Sequence, residues 1–389
     1  MKTLHLLLIS ILIFACKKNN AGPNSNNPGN SNPTTYSGVW NLLPLIDSPD
    51  YANKVGDMLC TNTHTYALAM NKFGRYRLIS VDHTGDTNHF STPFDQVQSI
   101  GFTTMSNYAS GIYVGYTTFL GNTRIYHHIF NGSSWTELPE ITVPNYSFNN
   151  RIIKSCWFKN QLYLAAASTD STYLLKYNGS NWETVGGKAF GPVGYYLDLK
   201  AGSDFICMMT YNPPSSSNPG LILKSFNGTS WFDENFNAFS TSDELVFPVI
   251  DINSNQNILF GFLTYSGSYI YTKTQGSNTW NAQLEYNKTD KFYLKPRFDK
   301  QNPSLIHSVI ISHFAQVTQA IWGLAKINNQ QLINYNIDYD KDNPGYKVIF
   351  DPIDFSRLVF EPGYDQKLYF LFGENRSPFV CSFVRFTPR

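Results

Sequence analysis

Charged residues interrupt several of the short apolar runs of this sequence, and three of them could carry chemistry. Asp251, Arg297 and Asp299 each lie in a run predicted to be the first strand of a repeated unit. Paired carboxylates hydrolyse glycosidic bonds, but their separation cannot be read from sequence. If these first strands line a central channel, a ring of mixed charge at its mouth would suit a small-molecule ligand. A channel filled only with water would carry the same residues. The charged residues of these strands are Lys154, Asp198, Asp251, Arg297, Asp299, Asp354 and Arg357.

Aromatic residues in Asn- and Ser-rich loops form a second group of candidates. They lie in segments 141–150, 210–220, 235–244 and 336–347. A flat ring stacks on the C–H groups of a sugar, while neighbouring amides bond its hydroxyls. Ordinary loop packing would place such residues there as well. The candidate ligand contacts are Tyr146, Phe148, Tyr211, Phe239 and Tyr346.

Three alternating aspartates are a weak calcium candidate. Asp338, Asp340 and Asp342 stand in DYDKDNPG, and calcium loops use alternating carboxylates to turn oxygens toward one cation. Two residues separate the third aspartate from Gly345, however, and Ile349 occupies the position where such a loop carries an acidic ligand. A solvated acidic loop fits this departure better, and we expect no cofactor.

Other ligand chemistries have still weaker support in the sequence. His127 and His128 are adjacent on a predicted strand, so they should face opposite sides and not share a zinc ion. Neither a P-loop nor a dinucleotide fingerprint is present. TQGSNTW (274–280) lacks the aspartate and the glycine that a sialidase Asp-box would need.

The N-terminus reads as an export signal. Lys2 precedes an apolar run from Leu4 to Phe14, and Ala15 is the small residue before a cleavage point. The stretch IFAC (13–16) resembles the lipobox of bacterial lipoproteins. The resemblance implies a signal peptide over 1–15, a lipid on Cys16, and a cell-envelope location, at the outer membrane or cell surface in preference to the inner membrane. Plain secretion is the alternative.

Composition describes the rest of the chain. Residues 16–35 carry Asn, Pro, Ser and Gly but no large apolar side chain after the cysteine, which predicts a flexible tether. Residues 36–389 are long enough for one large β domain, and aromatics at 16% against charged residues at 15% favour sheets. A net charge of +1 without basic blocks argues against a nucleic-acid partner.

A short motif repeats along the chain. FNGSSW (130–135) returns as YNGSNW (177–182) and FNGTSW (226–231), and Trp135, Trp182, Trp231 and Trp280 are 47, 49 and 49 residues apart. This period is typical of β-propeller blades of four strands. In each motif Asn-Gly can take the positive φ values of a tight hairpin turn, and the aromatic residues should pack across it.

Seven units can be counted, with first strands beginning near Asp57, Val97, Arg151, Val193, Leu245, Phe292 and Phe355. The last unit has three strands, whereas VWNLLPL (39–45) has the character of a fourth strand without a unit before it. We therefore predict an all-β, seven-bladed propeller of four-stranded antiparallel blades, closed by the N-terminal strand. Such pairing would hide two sheet edges.

The hairpins resemble those of kelch-type propellers, in which aromatic residues flank the turn between the third and fourth strands. TYLLKYNGSNWETV is the best copy, although the double glycine of that family is missing. The resemblance supports the fold and implies no particular activity. We expect a monomeric, membrane-anchored domain that binds a glycan or a protein without catalysis. A carbohydrate hydrolase or lyase and an envelope scaffold are the alternatives.

Overall fold

Short alternating runs rich in aromatic and β-branched residues make this chain a succession of antiparallel strands. The computed structural model contains 28 strands, and no helix, within the residues that it describes. All of these residues belong to one unit of the chain, 35–389. The described residues are 38–42, 51–71, 76–94, 100–109, 111–118, 125–141, 153–167, 172–186, 196–212, 220–237, 244–288, 291–312, 321–336, 358–373 and 381–388.

The strands form seven four-stranded sheets, which are the blades of a β-propeller. Blade 1 consists of β2 Tyr51–Cys60, β3 His64–Asn71, β4 Tyr76–Asp82 and β5 Thr87–Ser91. Blade 2 consists of β6 Ile100–Tyr108, β7 Gly111–Thr118, β8 Ile125–Phe130 and β9 Trp135–Glu137. Blade 3 consists of β10 Ile153–Phe158, β11 Gln161–Ala167, β12 Thr172–Tyr177 and β13 Trp182–Thr184. Blades 4 and 5 consist of β14 Tyr196–Ala201, β15 Ile206–Asn212, β16 Gly220–Phe226, β17 Trp231–Asp233; β18 Val246–Ile252, β19 Asn257–Thr264, β20 Gly267–Thr274 and β21 Asn281–Tyr286. Blades 6 and 7 consist of β22 Lys291–Phe298, β23 Leu305–Ser312, β24 Ile321–Asn328, β25 Gln331–Asn336; β26 Val359–Pro362, β27 Leu368–Gly373, β28 Cys381–Pro388 and β1 Gly38–Leu42.

Blade 7 confirms the predicted closure of the ring. Its strand order is β26-β27-β28-β1, and Trp40 on the N-terminal strand pairs with Phe386 on the last strand. Six predicted first strands begin within four residues of the observed ones. In blade 1, β2 begins at Tyr51, six residues before the predicted Asp57.

The first strands form the inner wall of the propeller. The first strand of each blade contacts those of both neighbouring blades, from β2 through to β26 and back to β2. An apolar cluster fills each of the seven junctions between blades; for example, Leu199 of blade 4 and Tyr163 of blade 3 share one cluster. Burial of each such side chain contributes about 1.5–3 kcal/mol, so the ring is held by packing between blades.

The repeated Asn-Gly turn differs in detail from the prediction. Only the glycine takes a positive φ, 100° at Gly132, 101° at Gly179 and 100° at Gly228. The loop has four residues, because Tyr177 pairs with Trp182 across it. The Asn178 side chain closes it by accepting the backbone N–H groups of Ser180 and Asn181. Asparagine therefore acts through its side chain and not through a left-handed backbone.

The predicted aromatic packing across the turn is confirmed. The rings of Tyr177 and Trp182 lie 5.3 Å apart. The same tryptophan also reaches the preceding blade, where its indole N–H donates to the carbonyl oxygen of Pro139 at 3.2 Å. Trp135 and Trp280 donate in the same way to Ser91 and Asn235. At these three hairpins the repeated tryptophan thus joins its blade to the preceding one.

Candidate functional site

The structure describes only part of the candidate set. Asp198, Tyr211, Asp251, Arg297 and Asp299 can be placed, together with Lys154 on β10. The remaining candidates lie outside the described residues: Cys16, Tyr146, Phe148, Phe239, Asp338, Asp340, Asp342, Tyr346, Asp354 and Arg357.

Aspartates on the inner strands bind the backbone of the next blade. The Asp251 side chain is buried, with 2% of the residue exposed, and its Oδ2 accepts the backbone N–H of Phe298 in blade 6 at 2.8 Å. Asp198 accepts the N–H of Ile250 in the same manner at 3.1 Å. Charge-assisted bonds of this kind are about twice as strong as neutral ones. These carboxylates therefore connect neighbouring blades.

Asp57 repeats this arrangement at the junction of blades 1 and 2. Its Oδ2 accepts the N–H of Met105 at 2.9 Å. At the next junction a hydroxyl replaces the carboxylate, and Thr104 Oγ1 accepts the N–H of Ser155 at 2.9 Å. The recurrence at four junctions explains several of the acidic residues along the inner wall.

Asp299 lies in the turn after β22. Its Oδ1 accepts the N–H groups of Gln301 and Asn302 at 2.8 and 2.7 Å, and its Oδ2 lies 2.9 Å from His307 Nε2. Burial would raise the pKa of this carboxyl, but His307 and the two backbone donors outweigh it and hold the pKa below its usual value. Asp299 is thus an ionised turn-forming residue.

A cluster of charged side chains spans the inner wall of the propeller from blade 4 to blade 7. It lies at the end of the wall where turns join first strands to second strands. Glu361 of blade 7 accepts Lys200 of blade 4 through Oε1 at 3.3 Å, and Arg297 Nε lies 3.2 Å from the same oxygen. Lys300 Nζ lies 3.9 Å from Oε2, and Arg297 also donates to the carbonyl oxygen of Ile250 at 3.0 Å. We call Lys200, Arg297, Lys300 and Glu361 the axial cluster.

Electrostatics keep the axial cluster ionised. Burial alone would raise the pKa of Glu361, but Lys200, Arg297 and Lys300 lower it to about 2. Burial would lower the pKa of Lys300, but Asp251 and Glu361 raise it above its usual value. A general acid needs the opposite, a carboxyl whose pKa is raised toward neutrality. The axial cluster is therefore a structural ion network and not an acid–base pair.

Sequence reasoning placed Arg297 on the inner wall but missed Lys200, Lys300 and Glu361. Lys200 had a readable signal, because it stands two residues from Asp198 on one strand and so shares its face. Glu361 had no such signal. It meets Lys200 at a separation of 161 residues, which only the closed ring produces.

The opposite face, where second strands lead to third strands, carries a group of tyrosines on blades 4 and 5. Tyr265 occupies the turn between β19 and β20 and is 67% exposed. Its hydroxyl donates to Glu244 Oε2 at 3.4 Å. Tyr196 pairs in register with Tyr211, and their rings lie 6.1 Å apart. We call Tyr196, Tyr211, Glu244 and Tyr265 the tyrosine platform.

The two less exposed tyrosines of the platform bind the backbone that follows Glu244. Tyr211 is buried, and its hydroxyl accepts the backbone N–H of Leu245 at 2.8 Å. Tyr196 is half-buried and accepts the N–H of Phe247. Burial raises the pKa of both phenols, so they are neutral near pH 7. Tyr265 and Glu244 thus present an aromatic ring beside a carboxylate, a pairing that suits a polyhydroxylated ligand.

The two adjacent histidines face opposite sides of β8, as predicted. His127 packs against Tyr113 and Trp182, whereas His128 stacks on Tyr116 and lies near Trp135. Burial, and then His128, lowers the pKa of His127 to about 3. Within the described segments, no group of three or more potential ligand side chains is close enough to hold a metal ion.

Comparisons with known proteins identify the fold. No protein-family model matches the chain, and no curated protein sequence does. Among solved structures, "YCF48 bound to D1 peptide" superposes with a TM-score of 0.54 at 14% identity, covering 92% of this chain and 96% of that one. A puromycin-hydrolyzing peptidase of Mycobacterium tuberculosis superposes with a TM-score of 0.53 at 9% identity, covering 90% of this chain and 54% of that one. A puromycin hydrolase S511A mutant gives 0.53 at 8% identity, covering 85% and 52%.

These similarities establish a β-propeller and no more, because all three identities are low. A search of the described residues for a helix long and apolar enough to cross a membrane finds none. What the chain binds has to be argued from its own residues.

Proposed function

We propose that this protein is a lipid-anchored envelope propeller that binds a glycan without transforming it. The anchor rests on Cys16 and the apolar run before it. The glycan ligand is inferred from the tyrosine platform, which lies on the face where the sequence predicted the ligand loops. The bound polymer would lie across blades 4 and 5, with the tether leaving the domain free to reach it.

One observation carries the proposal. Tyr265 exposes 67% of its surface at a tight turn, and its hydroxyl is oriented by Glu244. A tyrosine ring offers a large rigid contact area at a low cost in conformational entropy. The carboxylate beside it can accept sugar hydroxyls, and charge-assisted bonds are stronger than neutral ones.

Binding without catalysis is favoured by the state of the inner carboxylates. Asp57, Asp198, Asp251 and Asp299 accept backbone N–H groups, and Glu361 is held by three cations. Glycoside hydrolysis needs one carboxyl free to donate a proton and a second one free to attack or to activate water. Among these carboxylates, Asp57, Asp198, Asp251 and Glu361 connect blades, and Asp299 holds the turn after β22.

Native affinity electrophoresis through gels containing soluble polysaccharides tests the proposal. We expect one polymer to retard the protein, and Tyr265→Ala to weaken the retardation roughly tenfold, since truncating a key aromatic contact costs more than about 1 kcal/mol and about 1.4 kcal/mol is tenfold in affinity. Phe232→Ala is the matched control, because Phe232 is 47% exposed on the outer strand β17, away from the platform. Equal retardation of both variants would exclude the platform as the site.

A protein ligand is the second candidate. The propeller that superposes over 92% of this chain was solved with a peptide bound. Uniform migration across the polysaccharide panel, together with capture of a partner that Tyr265→Ala releases, would replace the glycan with a protein on the same platform.

A further inference from the structure

A strained bulge on β22 aims a lysine into the inner ring. The register between β22 and β23 shifts between Leu294 and Arg297, and Lys295 takes a φ of +47°. Positive φ is uncommon for a residue with a side chain, and the residue before a proline is restricted further. Pro296 follows, and it packs over Gly261 of blade 5, where an added Cβ would lie 2.2 Å from Pro296 Cγ. The neighbouring blade therefore holds this bulge in place.

The bulge itself does not require a lysine. β18 carries a second bulge between Val246 and Val249, where Phe247 has a φ of +50° and also precedes a proline. There the same backbone carries an apolar ring. Bulges commonly re-aim one side chain, and backbone strain concentrates at functional sites. The bulged backbone therefore does not require a lysine at position 295, and the role of this lysine has to lie in its side chain.

The environment of Lys295 destabilises the charged form of its amine. Nζ donates to the carbonyl oxygen of Leu358 in blade 7, and the residue retains partial exposure. Burial is the main cause that lowers its pKa to about 7, and Arg297 and Lys154 lower it further. Asp198 and Asp57 act in the opposite direction, but both already accept backbone N–H groups.

We propose that Lys295 is a reactive amine that takes a small carbonyl compound bearing a carboxylate as a Schiff base. The Nζ lone pair attacks the carbonyl carbon, and the oxygen leaves as water with the two protons of the amine, so that a C=N bond replaces C=O. Lys154 supplies the positive charge for the carboxylate, since Arg297 is already paired with Glu361. Lysines beside other cations in desolvated pockets are activated in this way. The proposal is independent of the glycan platform.

Reductive trapping with glyoxylate and cyanoborohydride at pH 7 tests the proposal, with peptide mapping by mass spectrometry. We expect Lys295 to be labelled roughly tenfold or more faster than Lys176 of β12, because an ordinary lysine with a pKa of about 10.4 is almost fully protonated there. K295R should abolish the label at this position and leave the others unchanged. Labelling spread over other lysines, with Lys295 unmodified, would overturn the proposal.

The wild-type protein provides a test that does not depend on a folded variant. The labelling rate of Lys295 should rise through a midpoint near pH 7, whereas that of an ordinary lysine side chain keeps rising above pH 9. Parallel pH profiles would show an ordinary lysine and reject the reactive amine. Propionaldehyde, which lacks the carboxylate, should prefer Lys295 over Lys176 several-fold less than glyoxylate does, and an equal preference would reject recognition of the carboxylate.

Discussion

At the scale of single residues, the acidic side chains of the inner ring are structural. Asp251 looks like a catalytic candidate in the sequence, because a charge in an apolar strand needs a reason. Its reason is the backbone N–H of Phe298, which would otherwise be buried without a partner. Asp198 and Asp57 have equivalent partners in their own neighbouring blades.

Asp251→Ala should therefore lower the free energy of unfolding by about 1–3 kcal/mol, the cost of a buried donor left unsatisfied. Asp251→Asn keeps an acceptor oxygen and should cost less. Urea denaturation measures both, with Asp233→Ala as the control, since the side chain of Asp233 is 63% exposed and its surface ion pair contributes little. Unchanged stability of Asp251→Ala would argue for a functional role instead.

At the scale of elements, the hairpin between third and fourth strands is the repeated device of this fold. Asparagine closes the loop with its side chain, glycine takes the positive φ, and tryptophan reaches the preceding blade. The motif thus serves two interfaces, one within its own blade and one with the preceding blade.

Trp182→Phe separates these two contributions. The ring still packs on Tyr177, but the hydrogen bond to Pro139 is lost, so stability should fall by about 0.5–1.5 kcal/mol. Trp182→Ala should cost clearly more, because the packing is lost as well. Thermal unfolding compares the two variants; equal losses would show that the ring packing contributes nothing, and an unchanged Trp182→Phe variant would show that the indole N–H contributes nothing.

At the scale of the whole molecule, closure joins the two ends of the domain. β1 pairs with β28 along its entire length, from Gly38 opposite Pro388 to Leu42 opposite Val384. Without β1, β28 would present an unpaired edge of eight residues, which invites pairing with another chain.

A chain that begins at residue 46 should therefore unfold at a lower temperature and self-associate, whereas one that begins at residue 36 should behave like the full chain. Thermal unfolding and size-exclusion chromatography distinguish them. Identical melting temperatures for the two truncated chains would contradict a stabilising role of β1.

The sequence by itself determined the repeat, the number of blades and the closing strand. Each blade is a meander of consecutive strands, so its signals are local: alternation, turn residues and the tryptophan every 47 to 49 positions. The reading of Asn-Gly as two positive φ values was wrong in detail, because the asparagine side chain can replace the backbone in closing a loop.

Only the tertiary structure decided what the polar residues do. Glu361 and Lys200 lie 161 residues apart and meet across the ring, and Tyr211 is buried instead of facing solvent. Such contacts follow from how seven blades close on one another, and no local pattern encodes them. Burial and neighbouring charge then set the chemistry: the pKa of Glu361 falls to about 2 and that of Lys295 to about 7, although each is an ordinary residue in the sequence.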